Sequence, residues 1–376
     1  MNKVYFARFI LKLFYIFKVN TKKVFFSSYE GASISCNPKY IYKELYKKYG
    51  DNLIYVWESN KDRNVLVGSD RVIYVKHNSI SYIYHVMTSK IIISNTGITA
   101  SFPLRKNQLS INTWHGAGCY KKVGIDYEEN LEQYKKRRMI AEKNITYYLS
   151  GCKAWTKVFS QAVISDEKKF LPIGSPRVDY LINDASPSEK ERIKKILNIH
   201  KNIVLYAPTY RGERDIPEDA VCPLDVEKLL TSLVKRFGGE WIFGYRCHYA
   251  TASKFKNTPD SIDLSSYEDM QELLVAADVL ISDYSSSIWD FSFTGNPCFL
   301  YCYDLDLYIE DRDFYIPIMD WHFPVSRNMN ELCEQIIKFD LELFMRRMSD
   351  HHRELQSFET GTAIKSVIEL IDGDLN

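Results

Sequence analysis

Short apolar runs alternate with stretches of helical periodicity from residue 24 to residue 301, and this alternation narrows the possible folds more than any other feature of the chain. Residues 24–29, 53–57 (Leu-Ile-Tyr-Val-Trp), 71–75, 90–94 (Lys-Ile-Ile-Ile-Ser) and 109–114 are rich in β-branched and aromatic side chains, so they read as strands. Residues 38–49, 79–88 and 127–143 read as helices. A second series has strands at 203–207, 241–245, 279–282 and 298–301, with helices near 188–197, 225–237, 266–277 and 287–294. Strands that are apolar on both faces and separated by helices form parallel sheets of βαβ units. The turn formers Asn183-Asp184-Ala185-Ser186-Pro187-Ser188 separate the two series. At 376 residues the chain exceeds what one core usually serves. The expectation is an α/β fold with two Rossmann-like, doubly wound domains, residues 24–183 and 184–376.

Residues 1–23 carry six cations and no acidic residue. At 100° per residue Phe6, Phe9, Ile10, Leu13, Ile16 and Phe17 share one side, with Arg8 and Lys18 opposite and Lys3 and Lys12 at the flanks. That is the pattern of an amphipathic helix lying in a membrane interface with its cations toward anionic head groups. A signal peptide competes, but no small-residue cleavage site follows. A helix simply packed on the protein is the plainer alternative. No run of about 18 apolar residues exists that could span a bilayer. A net charge of +1 gives no field that would attract nucleic acid. The eight cysteines are scattered without a CxxC pair and read as reduced core residues.

Four motifs fall where strands end, which is where open α/β sheets bind ligands. Asn112-Thr113-Trp114-His115-Gly116-Ala117-Gly118 puts a histidine beside glycines, where it can act as a general base and the backbone can approach a ligand. Leu205 to Arg211 runs from a strand into a polar loop containing Pro208 and Thr209. Gly244 to His248 brings Arg246 and His248 together across Cys247, a pairing suited to a diphosphate. Ala277 to Phe291 ends a strand at Asp283 and opens a helix with Ser285 and Ser286, whose free N–H groups attract phosphate. Asp290, one turn in, could reach a ribose hydroxyl. The basic run Lys135-Lys136-Arg137-Arg138 reads as a solvated helical face, with lipid head groups or a pyrophosphate-bearing acceptor as the other reading.

Two doubly wound halves joined by a short linker describe the GT-B architecture of nucleotide-sugar transferases, whose site is the cleft between the sheets. Taken together the motifs resemble the CDP-glycerol glycerophosphotransferase family, which builds teichoic acids and some capsules. The matching blocks are Thr-Trp-His-Gly at 113–116, Gly-Ser-Pro-Arg-Val-Asp at 174–179, Tyr-Ala-Pro-Thr-Tyr-Arg at 206–211, Arg-Cys-His at 246–248 and Asp-Val-Leu-Ile-Ser-Asp-Tyr-Ser-Ser at 278–286. The last continues through Asp290-Phe291 to Tyr301-Cys302-Tyr303-Asp304-Leu305. The resemblance implies that His115 and His248 are catalytic. It implies that Trp114, Gly116, Ala117, Gly118, Arg177, Pro208, Thr209, Arg211, Arg246, Cys247, Ser285, Ser286 and Asp290 bind the donor. The chain departs from the family pattern beside both histidines. Ala117 and Gly118 stand where the family usually has Thr-Pro, and Tyr249 stands where it usually has Pro.

The resemblance implies transfer of glycerol phosphate, or a related polyol phosphate, from CDP-glycerol or CDP-ribitol to an acceptor hydroxyl with release of CMP. The acceptor would be lipid-linked or a polysaccharide, and the enzyme would sit peripherally on the cytoplasmic face of the cell membrane. No acidic cluster of metal-ligand type stands out, so no tightly bound metal or cofactor is expected, with loosely held Mg²⁺ on the diphosphate left open. Two alternatives remain at this point. One is a GT-B glycosyltransferase or nucleotide-sugar epimerase using a sugar nucleotide. The other is a non-catalytic membrane-attached subunit of a polymer-synthesis complex, against which the presence of both His115 and His248 argues.

Overall fold

The computed structural model describes residues 2–60, 72–128, 130–209, 224–247 and 258–375. The chain divides into two units, each built on one parallel sheet in a doubly wound, GT-B-type arrangement. The first comprises Met1–Ala117, Val123–Tyr180 and Ser357–Asn376; the second comprises Gly118–Lys122 and Leu181–Gln356.

In the first unit the strands are β1 (Asn20–Ser27), β2 (Ile54–Glu58), β3 (Ile73–Val75), β4 (Ser89–Ser94), β5 (Leu109–Asn112), β6 (Tyr147–Leu149) and β7 (Phe170–Leu171). Their order is β3-β2-β1-β4-β5-β6-β7. The central strand shows why the apolar runs are continuous. Val24 and Phe26 enter one core with helix Cys36–Tyr49, while Phe25 enters the opposite core with helix Ile80–Thr88. Each such side chain contributes about 1.5–3 kcal/mol by leaving water, so neither parity of the strand can be polar.

In the second unit β8 (Asn202–Tyr206), β9 (Trp241–Tyr245), β10 (Ser261–Asp263), β11 (Val279–Ser282), β12 (Cys298–Tyr301) and β13 (Val325–Ser326) run in the order β10-β9-β8-β11-β12-β13. The expected helices are present but several are shorter. The one placed at 127–143 spans Leu131–Ala141, opened by Asn130 whose side chain accepts the Gln133 N–H. The one placed at 266–277 spans Met270–Ala276, and the one at 287–294 spans Ser287–Ser292. Strands β6, β7, β10 and β13 went unread because two or three residues carry no periodicity.

Two expectations are corrected. The second domain does not run to residue 376. Helix Ala363–Leu375 belongs to the first unit, where Val367, Ile368 and Ile371 join the core around helix Cys36–Tyr49 and Asp372 receives bonds from Lys48 and Tyr49. The amino-terminal segment is not one helix of 23 residues. It is an α-helix over Asn2–Leu11 and a 3₁₀ turn over Lys12–Ile16, and β1 begins at Asn20. Val19 and Thr21 are weak helix formers, and Asn20 is already paired with Ser89 of β4.

The side this segment turns to the protein also differs from the simple helical-wheel reading. Arg8 donates to the carbonyls of Ala100 and Phe102 at 2.7 and 2.6 Å, and Arg105 donates to those of Phe14 and Phe17 at 3.0 and 2.7 Å. The segment is therefore held by polar bonds as well as by Leu11 and Phe14, which pack against the core around helix Ile80–Thr88. Phe6, Phe9, Leu13 and Ile16 are left 65, 73, 68 and 80% exposed. A helix docked by its apolar face would have buried them.

Candidate active site

In the first unit β4 and β5 lie side by side and end together, Ser94 opposite Asn112. The residues just beyond them, Asn95 and Thr113-Trp114-His115, meet. His115 Nδ1 lies 2.8 Å from the carbonyl oxygen of Asn95. A carbonyl oxygen can only accept, so Nδ1 carries the ring proton and the Nε2 of the neutral ring holds a lone pair. Trp114 occupies the left-handed region at φ 52°. That conformation costs about 1–2 kcal/mol for a residue with a Cβ. Packing and hydrogen bonds offset it. The Trp114 indole stacks on the His115 ring at 4.3 Å and lies 4.4 Å from Phe159, and Asn37 Nδ2 donates to the carbonyls of Thr113 and Trp114.

Arg177 was expected to touch the donor. It is instead 4% exposed, with Nη1 donating to the His115 carbonyl at 2.6 Å and to Cys36 Sγ at 3.3 Å. Its own backbone N–H donates to Asn37 Oδ1 at 3.0 Å. A guanidinium buried on the carbonyl of the histidine sets that residue's backbone and does not face solvent. The block containing it is anchored from the carboxyl-terminal segment, since Glu359 accepts from the Ser175 N–H and hydroxyl, both at 2.8 Å, and Asp179 accepts from the Ile364 N–H at 2.7 Å. Sequence reasoning missed Asn37, Asn95, Tyr29 (its ring 5.6 Å from His115) and Glu359. The position of Asn95, directly after a predicted strand, was the one signal that could have found it.

Ala117 is 2% exposed, against Gly151, whose added Cβ would meet that of Ala117 at 2.6 Å. Gly118 belongs to the second unit, has φ +68°, and an added Cβ would lie 2.5 Å from Tyr120 Cε2 and 3.1 Å from Trp289. Its glycine therefore serves close side-chain packing as much as ligand approach. Gly118→Ala is expected to destabilise the protein by about 2–4 kcal/mol, combining left-handed strain and overpacking. A urea melt that differs from wild type by less than half a kilocalorie would contradict this.

In the second unit the residues after β8, β9 and β11 gather at one end of the sheet. Thr209 donates its N–H to Asp283 at 2.8 Å, following Pro208. Arg246 is half-buried, reaching the carbonyls of Tyr267 and Glu268 at 3.3–3.4 Å, and the Cys247 N–H reaches Ser265 Oγ at 3.1 Å. Two details depart from expectation. Asp290 is 2% exposed and accepts from Gln271 Nε2 at 3.0 Å, so its carboxylate orders the interior. Ser286 makes no capping bond; Ser285 Oγ accepts from the Ser287 N–H and hydroxyl, over a helix of six residues. Gly116 lies in the half-buried turn between His115 and Ala117. Arg211 and His248 lie outside the described residues. Among the described residues no group of three His, Cys, Asp or Glu side chains is placed to hold a metal ion. A cavity of about 870 Å³ in the second unit, between Phe323 and Arg347, contains none of the expected site residues.

The pattern of the family described as CDP-Glycerol:Poly(glycerophosphate) glycerophosphotransferase matches residues 9–372. A teichoic acid poly(glycerol phosphate) polymerase of Staphylococcus epidermidis is 32% identical over 305 residues, covering 77% of this chain and 41% of the relative. One of the same description from Bacillus spizizenii is 30% identical over 306 residues, covering 77% and 76%. The chain thus spans about two fifths of the length of the first of these relatives. The solved wall teichoic acid polymerase TagF superposes with a TM-score of 0.86 at 27% identity, covering 98% of this chain and 94% of that one. TagF has also been solved as a histidine variant soaked with CDPG.

Proposed function

The chain belongs to the CDP-glycerol:poly(glycerophosphate) glycerophosphotransferase family, and from that premise we propose that it moves a polyol phosphate from a CDP-polyol to an acceptor hydroxyl in teichoic acid or capsule synthesis. CDP-glycerol is the first donor to test, with CDP-ribitol beside it. The acceptor oxygen forms a bond to the phosphorus that carries the polyol, the bond from that phosphorus to the bridging oxygen breaks, and CMP leaves. The acceptor proton passes to His115 Nε2. The observation that carries this reading is the 2.8 Å contact of His115 Nδ1 with the Asn95 carbonyl, which orients the ring and, in the neutral imidazole, leaves the lone pair on Nε2.

Phosphoryl transfer asks the protein mainly for positioning and for charge to balance the phosphate oxygens. Pro208, Thr209, Arg246, Cys247, Ser285 and Ser286, with Arg211 and His248, are the proposed donor contacts. Arg177 and Asp290 act through their neighbours. The test is incubation with CDP-glycerol, CDP-ribitol and UDP-sugars in turn. CMP release with product mass rising by polyol phosphate units supports the proposal. Release of UDP with incorporation of sugar overturns it.

We place the enzyme peripherally on the anionic cytoplasmic face of the membrane, next to a lipid-linked or polysaccharide acceptor. Among the described residues no helix is long and apolar enough to cross a bilayer, while the exposed row Phe6, Phe9, Leu13 and Ile16 suits an interface. Phe9→Glu with Ile16→Glu is expected to cut binding to anionic vesicles more than about ten-fold, since each buried side chain is worth about 1.5–3 kcal/mol, without lowering the melting temperature. Unchanged co-sedimentation of the double variant would exclude this segment as the anchor.

A further inference from the structure

We infer that a cavity of the first unit, bounded by Trp114 and helix Leu131–Ala141, receives the terminal polyol phosphate unit of the acceptor chain. The inference rests on the transferase reading given above. The cavity measures about 560 Å³, within the range of small-molecule sites. Trp114 forms part of its wall and stacks on the ring of His115, so an occupant lies one residue from the proposed base.

The basic run 135–138 divides on this helix according to what each side chain touches. Lys136 is exposed and faces Glu132 at 3.8 Å. Arg138 is tied to Glu142 at 3.0 Å and to the Val163 carbonyl at 2.9 Å, so its charge is balanced. Arg137 lines the cavity, exposed to its solvent, and has no ion-pair partner among the described residues. An arginine so placed suits a phosphate, which it can hold with paired N–H donors. The same wall holds Glu30 and Glu128. Those carboxylates accept from hydroxyl groups and repel a second phosphate. One phosphate beside hydroxyl-bearing carbons satisfies both demands, and a nucleoside diphosphate does not. Phe159 and Val163 give the carbon skeleton an apolar floor.

A polyol phosphate could be supplied by the growing polymer or by a phosphatidylglycerol head group; the proposal is the polymer. The experiment measures transfer and binding in parallel on the intact chain, with CDP-glycerol as donor and a soluble glycerol phosphate oligomer as acceptor. Arg137→Ala is expected to raise the acceptor KM about ten-fold or more, with the donor KM unchanged and Arg137→Lys intermediate. Lys136→Ala, on the outward face, is expected to change neither. Calorimetric titration of the oligomer without donor should show the same loss of affinity in Arg137→Ala. If the wild type transferred nothing yet bound the oligomer through Arg137, the reaction proposed above would fail and the cavity assignment would stand. Equal oligomer Kd for wild type and Arg137→Ala overturns the assignment whatever the turnover. Dependence on Arg137 seen only with phosphatidylglycerol vesicles makes the occupant a head group and also overturns it.

Discussion

Replacing His115 by alanine is expected to slow polyol phosphate transfer by a factor of about 10² to 10⁴, the usual contribution of a positioned general base. The fold should be unaffected. His115 is half-buried at the end of a loop, its ring in contact with a backbone carbonyl, stacked on Trp114 and tilted against Tyr29. The supports of that loop, Asn37 and Arg177, bind its backbone oxygens and stay in place when the imidazole is removed. Loss of rate should therefore come with an unchanged melting temperature and an unchanged donor Kd. A folded variant that transfers at the wild-type rate would remove His115 as the base.

Acidification below pH 6.5 is expected to destabilise the second unit steeply. His351 is 1% exposed, with Nε2 2.8 Å from the Tyr120 hydroxyl; burial, with His352 and His322 nearby, pushes its pKa down to about 3. His352 stacks on Phe293 at 4.2 Å, with Nε2 2.8 Å from Ser292 Oγ, and burial pushes it down to about 4. Both folded values lie below the ordinary 6.5, so between these limits the unfolded chain holds the protons. Stability is complete above pH 6.5 and is lost as the pH falls toward 4. Each group removes about 1.4 kcal/mol per pH unit, so the pair would cost about 4 kcal/mol at pH 5, a large part of the 5–15 kcal/mol that usually holds a domain. Urea unfolding at pH 7.5 and pH 5 measures it. Replacing both with glutamine should flatten the slope between the two. Equal stability of the wild type at both values would show that these rings are not held neutral.

The elements legible beforehand were those whose signal is local. The runs at 241–245, 279–282 and 298–301 coincide with β9, β11 and β12, because a strand buried on both faces is apolar along most of its length. What failed was local in geometry but distant in sequence. The carboxyl-terminal helix carries an ordinary apolar stripe, which fits either unit equally well on paper. Its partner is the face of helix Cys36–Tyr49, more than 300 residues earlier. Asp290 reads as an exposed carboxylate one turn into a helix until Gln271 is seen against it.

The order of residues by itself determined that this chain forms two parallel-sheet units, that its motifs sit at the carboxyl ends of strands, and that its first segment is amphipathic. Each follows from side-chain periodicity and from turn chemistry, which act over a few residues. Only the tertiary structure decided which way the charged groups point. It set Arg8 and Arg177 on backbone carbonyls, turned Phe9 and Ile16 outward, oriented His115 through the Asn95 carbonyl, and placed Arg137 and Arg138 on the wall of one cavity, with Arg138 tied to Glu142. A long polar side chain can satisfy its hydrogen bonds in many places, and the choice is made by backbone groups that come near only when the sheets have formed.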